Sequence, residues 1–143
     1  MRRLVASDGC DILAPPARVF ALLSDVAGYE RWWPAALRVR VVAADEVEIP
    51  PPGSAFRCRL GESVPPLRLV VHYVAGPQRG QGIWTLAPLE GGRATRVHYA
   101  VDLEPHGVVA RLLSHAMDFA AIHSRHMRPV LDGLAREAAG NVP

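Results

Sequence analysis

The stretch that decides the fold is Asp11-Ile-Leu-Ala-Pro-Pro-Ala-Arg-Val-Phe-Ala-Leu-Leu-Ser-Asp-Val-Ala-Gly-Tyr-Glu-Arg-Trp-Trp-Pro34. Its proline pair, Pro15 and Pro16, suits the first turn of a helix, because the backbone N–H that proline lacks would have no helical partner there. Apolar residues then recur at the spacing of one helix face, at Val19, Phe20 and Leu23. The stretch therefore predicts a short helix directly after the prolines.

The second half of this stretch predicts another short helix. Ser24, Asp25 and Gly28 end the first one, since short polar side chains and glycine are weak helix formers. The aromatic-rich segment from Tyr29 to Trp33 follows, and Pro34 ends it because proline cannot donate the next helical hydrogen bond. Two short helices in succession are therefore expected.

The chain on either side of the stretch predicts strands. Residues 3 to 13 mix apolar and polar types without a helical period. After Pro34 the apolar residues recur at every second position, which places them on one side of each strand. These residues are Leu37, Val39, Val41, Phe56, Cys58, Leu60, Leu67, Leu69, Val71, Tyr73, Val97, Tyr99, Val101 and Leu103. Arginine, histidine or aspartate occupies most positions between them, as is typical of antiparallel strands with one face in water.

Clusters of proline and glycine separate these strands. They lie at Pro50–Gly53, Gly61 with Pro65 and Pro66, Gly76–Gly82, and Gly91 with Gly92. Glu90–Arg93 predicts a hairpin with a two-residue turn, since paired glycines accept the positive φ angles of such turns. Gly80 and Gly82 lack the rest of a dinucleotide-binding motif, and we expect them to be turn residues. The middle of the chain is thus predicted to be a meander of about five strands.

The last part of the chain returns to the spacing of a helix. Its apolar stripe comprises Val108, Leu112, Ala116, Phe119, His123, Met127, Val130 and Leu134, widened by Leu113, Ala120 and Leu131. A helix from Val108 to Ala138 would be about 45 Å long, enough to cross a domain. Pro129 lies inside it and cannot donate to the carbonyl of Arg125, so we expect a kink or a break there.

The order of these elements predicts an α+β fold in a single domain over residues 1–143. The chain length suits one domain with one substantial core. A curved antiparallel sheet must cover its apolar concave side, and the C-terminal helix is the element long enough to do so. A sheet curled round a helix leaves space that side chains need not fill, and aromatic-lined spaces of this kind bind small molecules.

The same order of elements resembles the START-like (SRPBCC) superfamily, in its polyketide cyclase/dehydrase-like branch. The residues that carry the resemblance are Ala14-Pro15, Val19-Phe20, Leu23, Asp25, Tyr29 and Trp32-Trp33-Pro34. The resemblance implies a helix-grip fold, in which a curved antiparallel sheet of about six strands wraps round a long C-terminal helix, with two short helices after the first strand. Members bind sterols, lipids, hormones or polyketides, and some are cyclases or aromatases.

Charge and composition argue against several classes of function. The net charge is +2, and no run of basic residues is interleaved with aromatics as a nucleic-acid groove requires. No apolar stretch approaches the roughly 20 residues of a membrane helix, so we expect a soluble, cytoplasmic, bacterial protein without membrane insertion. Cys10 and Cys58 are too far apart for a metal or redox motif and are expected to be reduced, mostly buried thiols.

Histidine is the first residue type to consider for chemistry, because its ordinary pKa lies near neutrality. His72 and His98 alternate with the apolar positions of their strands and are expected to face outward. His123 lies on the apolar stripe of the C-terminal helix, with His115 on the same side. His123 is either a structural residue bonded to a backbone carbonyl or a catalytic residue that bonds a ligand oxygen or removes a proton. The spacing of His115, Asp118, His123 and His126 does not favour a metal site, and no cofactor is predicted.

The inward-facing aromatic residues are the other candidates for a site. The predicted ligand-binding residues are Trp33, Phe56, Tyr73, Trp84, Tyr99, Phe119, His123 and Met127. One of Trp32 and Trp33 is expected to anchor the short helices, with Trp33 preferred for the pocket. The parity of Trp84 is ambiguous, since apolar residues occur on both sides of it.

Three functions remain open. The leading hypothesis is a binding protein for a small hydrophobic or aromatic molecule, polyketide- or lipid-like, because no convincing catalytic group accompanies the aromatic set. The second is an enzyme resembling polyketide cyclases or dehydratases, with His123, Tyr73 or Tyr99 assisting proton transfer and enclosure supplying orientation. The third is an adaptor for a protein partner, of the ribosome or chaperone type. A homodimer also remains open.

Overall fold

A computed structural model describes residues 3–49 and 56–140 of the protein. In these residues seven strands and three α-helices follow one another, with 3₁₀ turns at Val26–Arg31, Ala35–Leu37 and Glu90–Gly92. The strands are β1 Leu4–Ile12, β2 Arg40–Ala43, β3 Glu46–Ile49, β4 Phe56–Val64, β5 Arg68–Ala75, β6 Gln78–Leu89 and β7 Ala94–Pro105. The helices are α1 Pro16–Ser24, α2 Val108–Ser114 and α3 Phe119–Gly140. The loop predicted at Pro50–Gly53 lies outside the described residues.

All the strands belong to one antiparallel sheet in the order β1-β7-β6-β5-β4-β3-β2. The sheet curves round α3, so the predicted α+β helix-grip architecture is confirmed. The sheet has seven strands rather than about six, because β3 has only four residues and its short alternation was not distinguished from the turns beside it. The core lies between the concave face of the sheet and the helices.

α1 begins as the proline pair predicts, with Pro15 at its N-cap and Pro16 in its first turn. Its buried residues pack into the core at Val19, Phe20, Leu22 and Leu23. The guanidinium of Arg18 donates hydrogen bonds of 3.2 and 3.3 Å to the carbonyls of Glu137 and Ala138 at the end of α3. These carbonyls have no partner within the helix, so the bonds join α1 to α3.

Of the two alternatives predicted at Pro129, the break is wrong, and the kink stays a prediction. Pro129 lies inside an uninterrupted α3, and the chain instead breaks between Ser114 and Phe119. There the carboxylate of Asp118 accepts a hydrogen bond from the backbone N–H of Ala121 at 3.2 Å, which starts a new helix as an N-cap does. α3 therefore begins where the side chain of Asp118 accepts a hydrogen bond from an N–H group of the first turn. Pro129, which is half-buried, does not interrupt the helix.

This break changes the environment of the residues before it. Val108, Val109, Leu112 and Leu113 are 71%, 70%, 69% and 52% exposed, although the stripe predicted Val108, Leu112 and Leu113 to face the core. The helical period continues through residues 115–118 in sequence, but α2 and α3 are separate helices. The apolar residues of α2 continue the helical spacing of α3, but this spacing does not predict that they are buried.

Two predictions about glycine are also wrong. Gly80 and Gly82 lie within β6, paired with Leu103 and Val101 of β7, rather than in a turn. The turn from Glu90 to Arg93 has four residues outside the strand pairing rather than two, since Leu89 and Ala94 form the last pair. Glu90, Gly91 and Gly92 have positive φ angles of 50°, 69° and 91°, which is the conformation that favours glycine.

The alternation after Pro34 begins later than predicted. Ala35–Leu37 is a 3₁₀ turn, and β2 starts only at Arg40. Arg38 between them has a φ of 45°, so the backbone leaves the extended conformation at that point.

The middle of α3 lies against the short turn that carries Trp32. A Cβ atom placed on Gly133 would lie 2.1 Å from the carbonyl oxygen of Trp32. Only glycine, which has no Cβ, allows this approach. The segment of Trp32 and Trp33 can therefore lie directly against the helix. No helix among the described residues is long and apolar enough to cross a membrane.

Candidate ligand cavity

A cavity of about 580 Å³ lies between the concave face of the sheet and α3. Strands β3 to β7 form its floor, α3 forms one wall, and the segment from Tyr29 to Arg38 forms another. All eight predicted site residues are on its surface: Trp33, Phe56, Tyr73, Trp84, Tyr99, Phe119, His123 and Met127. Their role in binding stays a prediction, but one space brings them together.

The floor of the cavity is a set of paired aromatic rings. The rings of Trp84 and Tyr99 have centroids 4.4 Å apart, and those of Phe56 and Tyr73 are stacked at 5.6 Å. The ambiguous parity of Trp84 is resolved, since this side chain is 5% exposed and faces inward. The floor therefore offers flat apolar surfaces to a ligand.

The hydroxyl groups of Tyr73 and Tyr99 form a hydrogen bond of 2.9 Å inside the cavity wall. Burial raises the pKa of both phenols, because their charged forms would lose solvation. Both are therefore neutral at physiological pH. Each phenol carries one hydrogen, and their mutual bond uses one of the two, so the other can be donated elsewhere.

Gly82 provides the space for Tyr99. A Cβ atom on Gly82 would lie 2.2 Å from the hydroxyl oxygen of Tyr99 and 2.5 Å from the ring carbon that bears it. The ring of Tyr99 thus lies over β6 at the position where another residue would place its side chain. Gly82 was predicted to be a turn residue, and its part in the cavity was not predicted.

Trp32 and Trp33 lie side by side on the cavity wall. Tyr29 packs edge-on against Trp32 at 5.0 Å and is stacked on Trp33 at 5.8 Å, measured between ring centroids. The hydroxyl of Tyr29 donates to the carbonyl of Leu23, which fixes the turn to the end of α1. Both tryptophans line the cavity. Trp33 was the one preferred for the pocket, and one of the two was expected to be an anchor.

Side chains of α3 close the cavity opposite the sheet. Phe119 and Met127, two turns apart, are 9% and 7% exposed. His123 lies between them, and its ring is tilted against Phe119 with the centroids 5.5 Å apart. Ile122 and Val130 complete this wall.

His123 has a carboxylate as its partner rather than the backbone carbonyl that the structural interpretation expected. Its Nδ1 lies 3.2 Å from Oδ2 of Asp8 on β1, and these side chains are 13% and 15% exposed. Burial lowers the pKa of His123, while the hydrogen bond and the charge of Asp8 act in the opposite direction. The neutral imidazole is therefore the favoured form in this wall.

Sequence reasoning missed Asp8, although β1 contains a signal for it. Burial alternates along the strand, and its inward side carries Leu4, Ala6, Asp8, Cys10 and Ile12. A carboxylate at an inward position needs a partner, because burying an unpaired charge is costly. Because residues 3 to 13 mix apolar and polar types on both sides of the strand, this alternation was not recognised from the sequence.

The remaining histidines lie away from the cavity interior, and of these only His126, an exposed residue, is among the described residues that line the cavity. His72 and His98 are on the outer side of the sheet as predicted, and His72 pairs with Glu62 at 3.3 Å. His115, predicted to lie near the cavity, is exposed at the end of α2. Among residues 3–49 and 56–140, no three His, Cys, Asp or Glu side chains form a group that could hold a metal ion.

The cavity reaches the surface between the segment after Pro34 and α3. Three of its lining residues, Ala36, Arg38 and His126, are exposed. Cys58 lines the interior of the cavity, and burial strongly raises the pKa of its thiol, so it is an apolar part of the wall.

A curved antiparallel sheet that grips a long helix around an aromatic cavity is a helix-grip fold. Residues 5–139 match the family described as polyketide cyclase/dehydrase and lipid transport, and the chain belongs to this family. No curated protein has significant sequence similarity to the chain.

Solved structures share this fold at low sequence identity. A protein from Thermus thermophilus superposes with a TM-score of 0.76 at 20% identity, covering 97% of this chain and 99% of its own. The Zhui aromatase/cyclase from Streptomyces sp. R1128 gives 0.73 at 15% identity, with 99% and 97% covered. A START superfamily protein from Mycobacterium smegmatis gives 0.67 at 14% identity, with 93% and 97% covered. At these identities the likeness establishes the fold alone.

Proposed function

We propose that the protein binds a small hydrophobic or aromatic molecule, polyketide- or lipid-like, in the cavity between the sheet and α3. The observation that carries the proposal is the cavity of about 580 Å³ whose walls are mainly aromatic and aliphatic. This volume is within the range of about 300 to 1,000 Å³ that is usual for small-molecule sites. The family's description, which names both cyclases and lipid transport, is compatible with it.

The chemistry of the walls supports a mainly apolar ligand with a few polar atoms. Paired rings on the floor can stack on a planar molecule. The Tyr73–Tyr99 pair and His123 are polar groups within these walls, and such groups fix the orientation of a ligand.

The three tryptophans of the chain provide a direct assay, since Trp32, Trp33 and Trp84 all line the cavity. A ligand that enters should change the intrinsic fluorescence, and a titration gives its affinity. Native mass spectrometry of protein purified from its own host should also reveal a bound small molecule. If no aromatic or aliphatic compound changes the fluorescence and none is bound on purification, the proposal is wrong.

A matched pair of variants tests the location of the site. Val71→Phe adds volume from the floor of the cavity, and Val64→Phe makes the same change at a residue that is 55% exposed. We expect the first variant to weaken binding by about tenfold or more and the second to leave it unchanged, because only the first occupies the ligand's space. Equal effects would place the site elsewhere.

A second candidate function is proton transfer on a bound poly-ketone or enone, as in cyclases and dehydratases. The contact between His123 and Asp8 favours it, because a neutral imidazole held by a carboxylate is suited to act as a general base. Turnover that is lost in His123→Ala, together with the loss of an inflection in the pH–rate profile, would support this function. An absence of turnover with any poly-ketone or enone would count against it.

A further inference from the structure

We propose that the ligand carries a weakly acidic hydroxyl group, a phenol or an enol, which donates a hydrogen bond to Nε2 of His123, and that Asp8 is the positioning residue for this contact. The inference rests on the proposed binding function and names the chemical class of the ligand.

Asp8 determines which nitrogen of His123 carries a proton. A carboxylate accepts hydrogen bonds and donates none, so the nitrogen at 3.2 Å from Asp8, Nδ1, must be the protonated one. Because burial favours the neutral imidazole, Nε2 then has a free lone pair. The pair therefore presents an acceptor rather than a donor.

The placement of the two residues gives the direction of that acceptor. His123 is on the surface of the cavity, whereas Asp8 lies outside the cavity lining, on β1. The N–H of Nδ1 and the lone pair of Nε2 diverge by more than a right angle across the imidazole ring, so an Nδ1 turned to Asp8 leaves Nε2 directed away from Asp8, on the side where His123 lines the cavity. The rings of Phe119 and Tyr99, with centroids at 5.5 and 6.2 Å, flank His123 and hold it in this orientation.

The surroundings select the kind of donor that can reach Nε2. The titratable groups that face His123 are Asp8 from β1, Tyr99 from β7 and His126 from α3. Asp8 is engaged with Nδ1, and His126 is exposed at the opening. The hydroxyl of Tyr99 is bonded to that of Tyr73, and among the described residues no hydrogen bond joins it to His123. An acceptor in an apolar wall favours a ligand that places an O–H there, since an apolar ligand would leave the nitrogen unsatisfied. Aromatic surroundings favour a phenol or a planar enol over an alkyl alcohol.

Binding of 2-naphthol and 2-methylnaphthalene, measured by tryptophan fluorescence, tests the inference. The two probes differ only by a hydroxyl in place of a methyl group. We expect the protein to bind 2-naphthol about tenfold more tightly, because the hydroxyl satisfies Nε2. In His123→Phe, which keeps a ring but removes the acceptor, this preference should disappear while 2-methylnaphthalene still binds. The matched control is His98→Phe, an exposed position on β7, which should keep the preference.

The outcomes separate the inference from the binding function. Equal affinity for the two probes, or a preference that persists in His123→Phe, overturns the inference and leaves the binding function standing. Binding of neither probe overturns the inference, and the wider ligand search described above then decides whether the binding function stands.

A measurement on the unaltered protein tests the role of Asp8 even if a variant fails to fold. Nitrogen-15 NMR of the histidine side chains should show His123 protonated at Nδ1 and unprotonated at Nε2. In Asp8→Ala the tautomer should shift towards Nε2–H, and the preference for 2-naphthol should fall with it, which a purely structural role would not cause. An Nε2–H tautomer in the unaltered protein overturns the inference.

Discussion

The hydroxyl oxygens of Tyr73 and Tyr99 lie 2.9 Å apart, and each is the other's partner across the floor of the cavity. The two residues belong to β5 and β7, which are separated in the sheet by β6. Gly82 on β6 makes this contact possible, because its missing side chain leaves room for the ring of Tyr99. The pair therefore depends on three neighbouring strands.

Removing both hydroxyls of this pair should lower the free energy of unfolding by less than the sum of the two single removals. Tyr73→Phe or Tyr99→Phe leaves the other buried hydroxyl without its partner, and we expect each to lower the free energy of unfolding by about 1 to 3 kcal/mol. In the double variant no unpaired hydroxyl remains, so its loss should be smaller than the sum of the two. Denaturant unfolding of the four proteins gives this coupling, and strictly additive losses would mean that the bond contributes nothing.

Gly133→Ala should destabilise the protein. The added methyl group would lie 2.1 Å from the carbonyl of Trp32, so the short turn and α3 would have to separate. We expect a loss of about 1 to 3 kcal/mol in the free energy of unfolding. Gly140→Ala in the same helix is the control, since a Cβ there meets nothing within 4 Å. Equal stability of the two variants would contradict the close approach.

Two leucines on the predicted helical stripe should respond very differently to the same substitution. Leu134 is 0% exposed, and Leu134→Ala should lower the free energy of unfolding by about 2 to 5 kcal/mol. Leu112 is 69% exposed on α2, and Leu112→Ala should change it by no more than about 0.5 kcal/mol. Thermal or denaturant unfolding distinguishes them, and a large loss in Leu112→Ala would show that α2 packs against something.

The stability of the protein should fall as the pH decreases below the ordinary pKa of histidine, about 6.5. Burial lowers the pKa of His123 in the folded state, so the unfolded chain takes up a proton there first. Stability is then complete above about pH 6.5, is lost as the pH falls from there, and levels off below the folded-state pKa.

Comparison of variants between pH 7 and pH 5 assigns this effect. His123→Phe should show a weaker dependence of unfolding free energy on pH than the unaltered protein. His98→Phe, at an exposed position, should keep the original dependence. An unchanged slope in His123→Phe would show that His123 is not the group responsible.

Much of the site could be predicted because parity and helical period report the side on which a residue lies. The alternation of β4, β5 and β7 placed Phe56, Tyr73 and Tyr99 inward, and the cavity has all three on its floor. The spacing of Phe119, His123 and Met127 did the same for α3. Trp84 was ambiguous because β6 has apolar residues on both sides, and only pairing with β7 decided its direction.

The sequence by itself determined the α+β fold, because prolines, polar interruptions and apolar alternation act locally along the stretch from Asp11 to Pro34 and the strands after it. Tertiary structure alone decided what depends on distant segments meeting. Asp8 and His123 are 115 residues apart in sequence. Gly82 is needed because the hydroxyl of Tyr99 lies where its Cβ would be, and Gly133 because the carbonyl of Trp32 lies where its Cβ would be. Contacts between segments that are distant in the chain leave no periodic pattern in the sequence, so they cannot be predicted from local spacing.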